Sequence, residues 1–198
     1  MIKQKTYSTI DFVKHILFLV SLVCSFQVQA QYGVKATQSL ATVTGQKYDL
    51  SRLEDMPHVF VFYATTCPLS QKYTLTIANL NIKYANKVKF VGVFPGVEET
   101  SGQFEHFKKK YQITYPLIED NKMVLVGSLQ ATVTPEAFLL DRSGKIVYHG
   151  AIDDWVVKLG KTKQVATVNY LENAIEDLLN NTKILSSYIK PIGCYIER

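Results

Sequence analysis

Cysteine is scarce in this chain of 198 residues, with three in all, and tryptophan occurs once. That count excludes a small scaffold stapled by many disulfides. Charge of one sign is also lacking. The formal net charge is +5. Lys3, Lys5, Lys14 and Asp11 fall in the first thirty residues, and without them the surplus is only three. A balance so weak, with acids and bases mixed as in Glu105–Lys110, describes a solvated surface and excludes a nucleic-acid-binding face. No internal repeat and no low-complexity linker is present, so the length reads as one domain able to bury a sizeable core. Nor is any apolar run long enough to cross a bilayer, which takes roughly 20 residues.

The longest apolar run, Ile16–Phe26, follows Lys3, Lys5, Lys14 and His15 and precedes Val28-Gln-Ala30. A basic start, a short apolar centre and small residues at the end form an export signal, with cleavage expected after Ala30. Cys24 lies inside this segment, but the preceding Val23 does not suit a lipid-attachment site. Residues 1–30 are therefore expected to be removed, and 31–198 to form the exported domain with its tail, periplasmic or extracellular, with no stable membrane insertion. Only Cys67 and Cys194 then remain. In an oxidising compartment two cysteines are a disulfide or a redox pair.

The remaining chain alternates strands and helices. His58–Ala64 is a Val- and Phe-rich run that reads as a strand buried on both faces. Cys67-Pro68 follows, and Pro68 suits the first position of a helix. That helix is expected from about Leu69 to Tyr84, with Tyr73, Ile77, Leu80 and Tyr84 on one face. A second strand spans Lys87–Phe94, and a helix from about 101 to 111 carries Phe104, Phe107 and Tyr111. A short strand at 115–118 and a short helix at 121–129 lead to Thr134-Pro135. The strands Glu136–Leu140 and Lys145–His149 flank the hairpin turn Asp141-Arg-Ser-Gly144. A last helix is expected over 168–180. The pattern gives an α/β sheet with one antiparallel edge.

The strand His58–Ala64, the step Thr65-Thr66-Cys67-Pro68, and Thr134-Pro135 ahead of a hairpin resemble the thioredoxin superfamily. The nearer resemblance is to its redoxin branch, the thioredoxin-like and alkyl-hydroperoxide-reductase-like proteins. It implies a thioredoxin-like α/β fold, a central mixed sheet flanked by helices, with an additional strand–helix unit between the cysteine helix and the proline. It also implies that Pro135 is cis and faces Cys67, and that Thr134 and Pro135 receive a substrate's extended chain. The function implied is thiol–disulfide exchange. The partners would be a disulfide- or thiol-bearing protein or a small thiol, together with an external electron donor and no cofactor. Three departures stand out. Ser70 occupies the usual place of the second thiol. Val61 stands where many thioredoxins carry a buried acid. Ala64 replaces the threonine that peroxiredoxins place three residues before their cysteine, and no arginine marks a peroxidase site.

The chemistry follows from the position of the cysteine. Only a thiolate attacks a disulfide or a peroxide, and an ordinary thiol is largely protonated at neutral pH. A helix N-terminus favours the anion. Pro68 at the first helical position would make Cys67 the cap, and the hydroxyl of Ser70 could point back at the sulfur. The alternative reading of Cys67 is a small buried hydrophobe. Cys194 could be a distant resolving thiol, a permanent staple, or remote from Cys67. The tail carries Ile184, Leu185, Tyr188, Ile189 and Ile192, with Pro191 and Gly193 to turn the backbone. It is expected to pack on the domain and bring Cys194 to Cys67. A soft metal held by Cys67, Cys194 and His149, a peroxidase, and a non-enzymatic binding module remain alternatives. Asp153-Asp154-Trp155 reads as a surface loop, and Glu98-Glu99 as charge at a helix start.

Overall fold

The computed structural model describes residues 39–197. The segment read as an export signal, Cys24 and the expected cleavage point lie outside the described residues. The first elements are β1 (Ser39–Ala41), β2 (Lys47–Asp49), a 3-10 helix (Leu50–Asp55), β3 (His58–Phe62) and α1 (Pro68–Lys83). β4 (Lys89–Pro95), α2 (Ser101–Lys110), β5 (Leu117–Asp120) and α3 (Val124–Leu129) follow. Then come β6 (Val133–Thr134), β7 (Glu136–Leu140), β8 (Ile146–Gly150), β9 (Val156–Lys158) and β10 (Lys161–Thr162). The chain closes with α4 (Tyr170–Leu179), β11 (Tyr188–Ile189) and β12 (Cys194–Tyr195).

The run of apolar residues in β3 has the place its composition demands. All five residues are buried. Because side chains alternate across a strand, Val59 and Val61 enter one core while Phe60 and Phe62 enter the other. β3 pairs in parallel with β4 and antiparallel with β7. The six-stranded sheet runs β11-β8-β7-β3-β4-β5. Tyr73, Ile77 and Leu80 of α1, Phe104 and Phe107 of α2, and Leu171 and Ile175 of α4 cover one face. Leu50 and Leu53 of the 3-10 helix and Leu125, Val126 and Leu129 of α3 cover the other. This is the thioredoxin-like arrangement, and the units β4-α2 and β5-α3 fill the chain between the cysteine helix and the proline.

Two expectations change. The short strand begins two residues later than its composition suggests, because Tyr115 turns into the core and its hydroxyl meets that of Tyr63 at 2.8 Å. The sheet also does not end on the antiparallel strand β8. The tail supplies β11, which pairs in parallel with β8 and places Tyr188 opposite His149. Ahead of the sheet, β1 and β2 form an antiparallel hairpin.

Candidate active site

The end of β3 aims the chain at the start of α1. Cys67 is the N-cap, in extended backbone (φ −79°, ψ 117°), and Pro68 takes a first-turn position whose N–H has no helical partner. Ser70 is fully buried, and its Oγ accepts the Ala64 N–H at 3.2 Å, tying the helix start to the strand end. The Gln71 side chain donates to Thr65 O at 2.8 Å. Glu99 completes the brace. Its carboxylate accepts the N–H of Thr65 at 3.0 Å, the N–H of Thr66 at 3.1 Å, and the Thr65 hydroxyl. This corrects the reading of Glu99 as helix-start charge. Thr100 caps α2 through a capping box with Gln103, and Glu99 holds the loop before Cys67 instead.

The second wall is the loop around Pro135. The Thr134–Pro135 bond is cis, and Cys67 Sγ lies 3.2 Å from Thr134 O. Glu136 follows with its side chain buried. Its Oε2 accepts from the Thr132 N–H at 2.8 Å, the Thr132 hydroxyl at 3.1 Å and the Val133 N–H at 3.3 Å. Oε1 lies 3.8 Å from His149 Nδ1. The His149 ring stacks on Phe138 and leans on Tyr188. His149 thus faces Glu136 and two aromatic rings. Among the described residues no group of three or more His, Cys, Asp and Glu side chains is placed to hold a metal. Sequence reasoning missed Glu136 and the role of Glu99. A carboxylate inside an otherwise apolar buried strand, directly after Thr-Pro, was the available signal for the first.

The tail brings the second thiol. β12 pairs antiparallel with β6, Cys194 opposite Thr134 and Tyr195 opposite Val133. The two sulfurs lie 2.7 Å apart although 127 positions separate the residues. Both are free thiols, Cys67 with 2% of its surface exposed and Cys194 open to solvent. The packing expected of the tail holds in part. Ile184 and Ile189 rest on the core, whereas Leu185 and Tyr188 face solvent. Asp153-Asp154-Trp155 is not a bare surface loop either. Asp153 is buried and accepts the Tyr73 hydroxyl at 2.5 Å, and Trp155 packs edge-on against the Tyr73 ring.

Residues 26–149 match the AhpC/TSA family. The chain belongs to that family. Among similar proteins, the Bacillus subtilis thioredoxin-like protein YneN is 28% identical over 122 residues, 61% of this chain and 71% of its own. The Bacillus cereus thiol-disulfide oxidoreductase ResA is 27% identical over 119 residues, 59% of this chain and 68% of its own. A hypothetical protein of Sinorhizobium meliloti shares the fold with a TM-score of 0.71 at 23% identity, over 83% of this chain and 93% of its own. A secreted Mycobacterium tuberculosis disulfide oxidoreductase homologous to E. coli DsbE shares it with a TM-score of 0.56 at 16% identity, over 72% and 97%.

In this AhpC/TSA chain the two thiols differ in electrostatic character. Burial by itself pushes the Cys67 thiol up. The Cys194 thiol, the N–H and hydroxyl of Ser70 and the Cys194 N–H all favour the anion, and together they hold Cys67 below the ordinary thiol value. As a neutral thiol Cys67 makes no capping bond to the helix, and its proton points to Thr134 O instead. Once it ionises, the Cys194 S–H is the nearest donor. Cys194 moves the other way, up to about 11, through burial first and then its bond to the Cys67 sulfur and the charge there. The pair therefore favours the anion on Cys67 and the proton on Cys194. Replacing Cys194 by alanine removes the sulfur donor. The midpoint for Cys67 ionisation is then expected to rise, so less thiolate is present at neutral pH. Ultraviolet thiolate absorbance, or the alkylation rate of Cys67 against pH, reads this. An unchanged midpoint would assign the whole shift to the helix start.

Proposed function

We propose that this chain is an exported thiol–disulfide oxidoreductase in which Cys67 is the attacking thiol and Cys194 the resolving one. The observation that carries the reading is the pair of free sulfurs 2.7 Å apart at the start of α1, against the cis-proline loop. The names of relatives such as ResA point the same way. The basic-then-apolar N-terminal segment supports export.

The Cys67 thiolate attacks one sulfur of a partner disulfide. A Cys67–partner disulfide forms, and the partner's second sulfur leaves as a thiolate that takes a proton from solvent. The Cys194 thiol loses its proton and attacks Cys67 Sγ. The Cys67–Cys194 bond forms and the partner's remaining sulfur leaves reduced. Two electrons have passed to the partner, and an external dithiol must return two to the pair. Ser70 cannot act as the second thiol, but its N–H and hydroxyl favour the Cys67 anion. Thr134 and Pro135 offer the edge against which the partner's chain lies extended.

Trapping tests the reading. With a disulfide-bearing protein such as insulin, Cys194→Ser is expected to accumulate the mixed disulfide at Cys67 and to lose about a hundredfold in turnover. The adduct is read on non-reducing gels and by mass spectrometry. Wild-type turnover in Cys194→Ser would remove Cys194 from the cycle. Absence of any adduct at Cys67 in wild type and variant alike would overturn the reading itself.

A further inference from the structure

The edge of β6 that a partner's strand would need is occupied by the chain itself. β12 lies along it in antiparallel register, with Cys194 opposite Thr134. The Ile196 N–H donates to Thr132 O at 3.0 Å. We infer that residues 192–196 are a resident strand standing in the partner's place, and that the site exchanges this strand for an extended partner segment carrying glycine directly before its cysteine. The inference rests on the oxidoreductase reading and adds the class of partner that it accepts.

Three observations carry it. The first is the close approach at Gly193. A Cβ there would sit 2.2 Å from Thr134 O and 2.7 Å from its carbon, both backbone atoms that cannot turn aside. Any strand that places its cysteine where Cys194 lies must therefore carry glycine before it, or must stand further off and lose the register. The second is how little holds the tail down. Tyr195 is 84% exposed and Cys194 is exposed beside it, which leaves Ile196 to hold this end of the segment against the core. Thr134 Oγ1, on the strand it covers, is buried with no hydrogen-bond partner. The third is that the tail has a fixed anchor upstream. β11 is paired with β8, and the Ala151 N–H donates to Ile189 O at 3.0 Å. Release thus frees residues 190–197 and leaves the pairing of β11 with β8 intact.

The strand is also a thin occupant. On one side of it lies a cavity of about 320 Å³ lined by Tyr73, Pro135, Ile152, Ile189 and Ile192. On the other lies an open cleft of about 540 Å³ lined by Thr66, Val97, Met123, Thr134 and Tyr195. A partner segment with a larger side chain two before its cysteine would fill space that Ile192 leaves empty, whereas the cleft beside Tyr195 is edged by Glu98, Glu99 and Glu197 as well. Exchange in the reverse direction has a use as well. When the tail re-enters and the partner strand leaves, Cys194 returns to the sulfur it must attack.

Alkylation of Cys67 tests this without any disulfide-exchange assay. The reference is Cys194→Ser, with the Cys67 peptide followed by mass spectrometry. Adding Gly193→Val, which drives the tail off Thr134 O, is expected to raise the Cys67 alkylation rate about tenfold. Ile196→Pro, which removes the N–H to Thr132 O and the contact of the Ile196 side chain with the core without touching Gly193, is expected to raise it in the same direction and guards against misfolding of the first variant. The peptide Pro-Ile-Gly-Ser-Tyr-Ile should restore protection to the Gly193→Val protein, and Pro-Ile-Val-Ser-Tyr-Ile should not. An unchanged rate in both variants, protection by both peptides alike, or protection by neither overturns the inference. Protection by the glycine peptide alone in a protein that forms no mixed disulfide would sustain strand exchange and sink the oxidoreductase reading instead.

Discussion

Cys67→Ser is expected to slow disulfide exchange by about a thousandfold or more while leaving the melting temperature within a few degrees of wild type. Serine has no accessible anion at neutral pH, so the helix start loses its nucleophile. It remains a good N-cap, so the helix start keeps its shape. The remaining thiol at the site cannot take over. Cys194 is not at the helix start. Although the variant loses the Cys67 sulfur and its charge, burial, the first cause of the upward shift of Cys194, remains and keeps its thiol protonated near pH 7. The second-order rate with a disulfide-bearing peptide, wild type against variant, decides the matter. A residual rate within tenfold of wild type would place the chemistry on another thiol.

Glu136→Ala is expected to cost about 3 kcal/mol of stability. The reasoning is an accounting of donors. The carboxylate accepts from the Thr132 N–H, the Thr132 hydroxyl and the Val133 N–H, and the last of these bonds is buried. Hydrogen bonds to a charged acceptor contribute about 1.5–3 kcal/mol each, and an orphaned buried N–H adds its own desolvation cost. Alanine also leaves a hole beneath His149, whose Nδ1 faces the carboxylate at 3.8 Å. Glu136→Gln keeps a carbonyl oxygen for the two N–H groups and is expected to recover at least half of the loss. Denaturant unfolding of the three proteins measures it. Equal stability of Glu136→Ala and wild type would show that solvent reaches the loop.

The central sheet could be read from the sequence because its strands are buried on both faces and so carry apolar runs, as in Val59–Phe62 and Ala137–Leu140. The helices could be read because each covers a sheet with one face, as Tyr73, Ile77 and Leu80 do. The step from Cys67 to Pro68 was readable because proline is tolerated at few helical positions. The small strands were not. β6, β11 and β12 are two residues long, and they are strands only because a distant segment happens to lie beside them. No local pattern encodes that. The same holds for Glu99 and Glu136. Their partners are backbone N–H groups, which every residue carries, so neither carboxylate leaves a pattern of complementary side chains to find. Cys194 was placed near Cys67 on the packing of its tail, and the sulfurs do meet. The edge it lies on could not have been deduced from composition.

The pairing of Cys67 with Cys194 has a topological consequence. Once the sulfurs bond, residues 67–194 become a closed covalent ring. Five of the six strands of the main sheet lie in that ring, and the one outside it is β3, the strand between β7 and β4. An oxidised chain that unfolds keeps its flanking strands tethered in a loop while its central strand dangles from the junction. Closing so long a loop removes about 5 kcal/mol of disorder from the unfolded ensemble on the chain-entropy view. Refolding from that state consists of threading a free arm into the middle of a tethered sheet. Refolding of the reduced chain has no such constraint, so the electron count of the pair sets the route by which the molecule assembles as well as its chemistry.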